Sequence, residues 1–199
     1  MNSISNLECI RLEGCLERQT LPPFGQLPFL KYLLLCDMPK AKLLDNKFHG
    51  NGKGCLFPSL KVLEIEKLKV LEEWFDAAAA VEDLKSLQLL PNIPASLEEL
   101  NLSDLKALQC LPSSESISSL KRLHLKRIPL LKSSLDLPPG LKYLFSNNVP
   151  QLQLLPNIPA SLEELYLSDL KALQCLPSSL SLFPQKASLN KNSAPKIIA

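Results

Sequence analysis

The chain lacks several things that would place it quickly. It has 199 residues and a formal net charge of only +2, so no whole-chain field argues for nucleic acid or an acidic partner. Its apolar runs, such as Leu33–Cys36 and Leu87–Leu90, are far too short to cross a bilayer, which predicts no membrane partner. Histidine occurs twice, at His49 and His124, and neither is spaced from Cys, Asp or Glu as metal ligands are. No Ser or Cys is accompanied by a recognisable general base, so neither a catalytic residue nor a cofactor nor a metal is expected, and the chain reads as a non-enzyme. Six cysteines are present without a CxxC pair, and the MNSISNLECIRLEGC start has no secretory pattern. Reduced thiols in a cytoplasmic protein are the expectation.

Glycine is also scarce, 6 residues against 17 prolines. The prolines recur after leucines, which marks proline-ended repeats rather than a disordered tract. The repeats are plain to see. Leu87–Ser114 reads LQLLPNIPASLEELNLSDLKALQCLPSS, and Leu152–Ser179 repeats it with one change, Asn101 becoming Tyr166, at a spacing of 65 residues. Within each copy the pattern is LxxLxLxxLxxLxxLP, carried first by Leu97, Leu100, Leu102, Leu105, Leu108, Leu111 and Pro112. In LxxLxL the last two leucines alternate with a polar residue and share one face of a short strand. The later leucines, three apart, suit a turning return segment that the Leu-Pro ends. Burying six leucines does not offset the backbone entropy of ordering about twenty residues, so one unit needs stacked neighbours.

The same register predicts an α/β-type leucine-rich-repeat solenoid over residues 1–179, with short parallel strands on the concave side and irregular or short-helical convex segments. Units start near 7, 30, 60, 76, 97, 120, 141 and 162, and the last four are separated by 23, 21 and 21 residues. The unit near 76 is weak, and its DAAAAVED part reads equally as a short helix. Residues 180–199 are polar, basic and Pro-interrupted, and read as a disordered tail. No polar cap precedes Leu7, which implies an upstream segment covering Leu7, Ile10 and Leu12, or a poorly soluble chain.

Outward positions on the strands form stripes. The Leu97 unit presents Glu98, Glu99, Asn101 and Asp104, and the Leu120 unit Lys121, Arg122, His124, Lys126 and Arg127. The Leu141 unit presents Tyr143 and Phe145, and the Leu162 unit Glu163, Glu164 and Tyr166. Opposite charges on adjacent strands, Glu99 and Arg122 for example, can pair across about 4.8 Å. Two readings stay open: the stripes satisfy one another, or Glu99, Asn101, Arg122, His124, Tyr143, Phe145, Glu164 and Tyr166 form a protein-binding strip. The basic stripe is too narrow to argue for nucleic acid.

The first part of the chain is more specific. LPPFGQLPFLKYLLLCDM, KFHG and FPSLKVLEIEKLKVLEEWF resemble the repeat region of plant coiled-coil nucleotide-binding leucine-rich-repeat disease-resistance proteins, over Leu7–Phe75. The resemblance implies an intracellular receptor module that binds a pathogen effector, a host guardee or the receptor's own nucleotide-binding module. Nucleotide binding does not carry over: Gly50-Asn51-Gly52-Lys53-Gly54 lacks the Ser or Thr and the upstream glycine of a phosphate loop and reads as a flexible loop. A receptor fragment without independent function and a stand-alone adaptor are the alternatives.

Overall fold

The computed structural model describes residues 4–17, 24–38, 57–68, 94–132, 134–176, 186–189 and 196–197. They form a leucine-rich-repeat solenoid. Seven five-residue strands lie at the head of successive repeats: Cys9–Glu13 (β1), Tyr32–Cys36 (β2), Val62–Glu66 (β3), Glu99–Ser103 (β4), Arg122–Lys126 (β5), Tyr143–Asn147 (β6) and Glu164–Ser168 (β7). Each pairs in parallel with the next, and each begins two residues after a leucine that the repeat pattern marks as a unit start. The strand register brings equivalent repeat positions side by side, Leu63 against Leu100 against Leu123, for instance.

The core follows the sequence periodicity. Ile10, Leu33, Leu63, Leu100, Leu123, Leu144 and Leu165 are buried in one inward row. The next inward row holds Leu12, Leu35, Ile65, Leu102, Leu125 and Leu167, with Ser146 buried in place of a leucine on β6. Behind the sheet, the return-segment leucines 105, 108, 131, 152, 155, 170 and 173 are buried against the same cluster. A 3-10 turn at Ile4–Asn6 precedes β1; the return segments are irregular, and the described ones contain a 3-10 turn at Phe24–Gln26 and no α-helix.

Two backbone devices lock each rung to the next. The residue before each strand offers its carbonyl to two N–H groups of the following rung: Glu98 accepts from Lys121 and Arg122, and Lys121 from Lys142 and Tyr143. The residue after each strand turns left-handed, with φ of +63° at Gly14 and between +50° and +56° at Asp37, Lys67, Asp104, Arg127, Asn148 and Asp169. That turn aims its N–H sideways, so Asp104 donates to the Lys126 carbonyl at 2.9 Å and Arg127 to the Asn147 carbonyl at 2.9 Å. Gly, Asn and Asp are the residues that adopt this conformation most cheaply, and they fill five of the seven positions.

β3 pairs with β4 directly; the unit expected near 76 falls on residues 69–93, which lie outside those described. Within 180–199, read as a tail, Lys186–Leu189 (β9) pairs in parallel with β7 and extends the sheet to eight strands. Cys175–Leu176 (β8) and Lys196–Ile197 (β10) form a separate two-stranded pair. An exposed strand edge offers a row of N–H and C=O groups to any nearby chain, which polarity of composition does not prevent.

Candidate functional site: the concave strand face

The outward residues of the strands form three rows across the sheet. The first runs Cys9, Tyr32, Val62, Glu99, Arg122, Tyr143 and Glu164; the second Arg11, Leu34, Glu64, Asn101, His124, Phe145 and Tyr166. All eight residues of the expected strip therefore lie on one face, in two adjacent rows over β4 to β7. Alternation along each strand puts them there, and the parallel register aligns them.

Much of the polar half is already partnered. Tyr32 Oη donates to Glu64 at 2.8 Å, and Asn101 Nδ2 donates to Glu64 at 2.9 Å and to Glu99 at 3.1 Å. Glu99 then meets Arg122 at 3.6 Å, the pair expected from sequence. Arg122 lies over the Tyr143 ring at 4.9 Å, as Arg11 lies over Tyr32 at 5.1 Å. Tyr143 Oη donates to Glu163 at 3.0 Å, so one chain of contacts runs from β1 to the residue just ahead of β7. Burial first, and the Glu64 carboxylate second, push the Tyr32 phenol up to about 12.

Two further rows border the face; the sequence placed Glu98, Asp104, Lys121, Arg127 and Glu163 outward without naming their pairs. Ahead of the strands stand Glu8, Lys31, Lys61, Glu98, Lys121, Lys142 and Glu163. Lys61 and Lys121 flank Glu98 at 3.2 and 2.9 Å, and Lys142 meets Glu163 at 2.8 Å. These lysines hold the Glu98 carboxyl below the usual range, and Lys142 and Tyr143 do the same for Glu163. After the strands, Asp104 and Arg127 form a two-toothed ion pair that lowers the Asp104 pKa.

The aromatic half is different. His124 packs against Phe145 with ring centroids 5.8 Å apart, and Phe145 stacks on Tyr166 at 4.7 Å and 3°. Tyr166 is 38% exposed, and Lys126 beside this ladder is exposed. The one difference between the duplicated copies also falls into place. Asn101 follows Glu64 in its row and hydrogen-bonds it; Tyr166 follows Phe145 and stacks on it. Each copy carries the residue that suits its neighbour.

The chain resembles a plant disease-resistance protein. It is 33% identical over 88 residues to disease resistance RPP13-like protein 1 of Arabidopsis thaliana, a stretch covering 41% of this chain and 8% of that relative. The chain thus spans a small part of the relative's length. No family model matches it. Among the described residues, no three His, Cys, Asp or Glu side chains gather as a metal site, and no helix is long and apolar enough to cross a membrane. Cys9, Cys15, Cys36 and Cys110 are free thiols. His49, Trp74, Phe75 and Gly50–Gly54 lie outside the described residues.

Proposed function

We propose that this chain is a non-enzymatic, protein-binding repeat module of a cytoplasmic plant immune receptor, and that it captures its partner on the concave face over β5 to β7. The partner is a pathogen effector, a host guardee or the receptor's own nucleotide-binding module; neither nucleic acid nor membrane is a target. The observation that carries the reading is the His124–Phe145–Tyr166 ladder beside the Arg122–Tyr143 pair. Charged groups on β3 to β5 largely neutralise one another, and exposed pairs of that kind contribute only about 0–1 kcal/mol each. Stacked rings and an arginine on an open face are the groups that dominate protein interfaces. The similarity to a disease-resistance protein supports the immune setting.

The experiment is proximity labelling and co-purification from leaf tissue, comparing the native chain, Arg122→Glu/Tyr143→Ala, Phe145→Ala/Tyr166→Ala, and Lys171→Ala on the return side as a control. A partner recovered by the native chain and the control, lost at least tenfold from both face variants with unchanged circular dichroism, meets the expectation. Equal recovery by the face variants sinks the concave reading.

A further inference from the structure

The duplication makes two strand edges chemically equivalent. β4 and its return segment, within Ser96–Leu111, are reproduced by Ser161–Leu176 around β7 with Asn101/Tyr166 as the one difference. What the first copy does with its edge is visible. It holds the basic β5 rung: Glu98 meets Lys121 at 2.9 Å, Glu99 meets Arg122 at 3.6 Å, and Asp104 grips Arg127. The Leu97 carbonyl accepts from Ser119 Oγ at 2.9 Å, and the Asp104 N–H reaches the Lys126 carbonyl.

The second copy carries the same grip as Glu163, Glu164, Asp169 and the Leu162 carbonyl, but no rung of the β5 kind follows it. Four residues of β9 stand there instead, Lys186 opposite Glu164 as Arg122 stands opposite Glu99, and Ala187 where β5 has Leu123. The cover is poorer. Leu173 is 9% exposed and its counterpart Leu108 fully buried, and Leu162, Leu165, Leu167 and Leu170 are each more exposed than their counterparts. Glu163, Glu164 and Asp169 are exposed, whereas Glu98, Glu99 and Asp104 are half-buried.

We propose that the outward edge of β7 accepts the β5 rung of a second copy of this chain, and that β9 is an in-chain placeholder which that rung displaces. The donor swings out β5 to β7 about the return segment that follows β4, and docks Ser119–Arg127 on β7 of the acceptor. The groups by which β4 holds the donor rung, Glu98, Glu99, Asp104 and the Leu97 carbonyl, have counterparts of the same residue type at 163, 164, 169 and 162 on the acceptor. His124 then faces Tyr166, as it already faces Phe145 at 5.8 Å. The donor's vacated β4 becomes a new acceptor, so the contact is head-to-tail and adds copies in series.

Disulfide trapping in the full chain tests this. In Arg122→Cys/Glu164→Cys the two thiols of one molecule lie two rungs apart, roughly 10 Å, beyond the ~7 Å Cα limit for a disulfide. Between exchanged copies they stand directly opposite, as residues 99 and 122 do. Mild oxidation at rising concentration should yield disulfide-linked dimers and higher species joined at 122–164 by peptide mapping, and neither single-cysteine variant should give that link. Glu164→Lys/Asp169→Asn, which leaves the Lys142–Glu163 pair and the left-handed turn at 169 in place, should stay monomeric by light scattering, with at least a tenfold loss of associated species. Absence of the 122–164 link, or association that survives these two substitutions, overturns the proposal.

Discussion

Gly140 occupies a position at which other repeats carry a serine with a job. Ser96 Oγ donates to the Leu60 carbonyl at 2.9 Å, Ser119 to Leu97 at 2.9 Å and Ser161 to Leu141 at 2.7 Å. In each case the serine just ahead of a unit's first leucine reaches the first leucine of the preceding unit. At 140 the equivalent acceptor is the Leu120 carbonyl. A Cβ built on Gly140 would sit 4.0 Å from that oxygen and 3.5 Å from the Ser118 carbonyl, ordinary contacts that leave room for a hydroxyl. Gly140 is not among the residues with positive φ, so a side chain costs no backbone strain there. Gly140→Ser should therefore gain twice. Restricting the unfolded chain contributes about 0.4–1 kcal/mol, and the new hydrogen bond about 0.5–1.5 kcal/mol. The sum, about 1–2.5 kcal/mol, corresponds to roughly 2–10 °C in Tm for a chain of this size. Calorimetry and urea unfolding of the native chain, Gly140→Ala and Gly140→Ser separate the two gains, since alanine collects only the first. Gly140→Ser no more stable than Gly140→Ala would refute the repeat-position argument. Ser119→Gly should lose a comparable amount.

Ser146 is fully buried at a leucine position with its Oγ unpartnered; Ser146→Ala should raise stability by about 1 kcal/mol, and a lower urea midpoint would contradict this. On the acid side, Arg127 depresses the Asp104 pKa, so its contribution is present above the unfolded carboxyl value near 4 and is lost as pH falls through the lower folded value. Asp104→Asn, which keeps the left-handed turn, should flatten the fall in stability below about pH 4; an unchanged acid limb argues that Arg127 adds nothing. On the alkaline side, the Tyr32 pKa of about 12 lies above the usual 10.0, so its contribution is present below 10 and is lost as pH rises toward 12. Tyr32→Phe should weaken the pH dependence of unfolding in that window.

What could be read from the chain depended on whether a residue's role is set by period or by its neighbour across the sheet. Leu100, Leu102 and Leu123 are buried because alternation along a strand is a local rule, and any stacked arrangement of these units obeys it. The placement of Glu99 against Arg122 was also legible, because equal repeat phase implies equal register. Asn101 and Tyr166 show where the local rule stops. Their position was predictable, but their partners, Glu64 and Phe145, belong to preceding units whose adjacency depends on how many rungs intervene. Counting a rung near residue 76 would have separated β3 from β4 and left Asn101 facing a different residue. Direct β3–β4 pairing is what allows the Asn101 amide to bridge Glu64 and Glu99. The same logic explains β9: nothing in the local pattern of KASL announces a strand, whereas the edge of β7, built like that of β4, supplies the template. An identical edge with a different occupant is thus the part of this protein that the repeat pattern alone cannot assign, and it is where a second copy can enter.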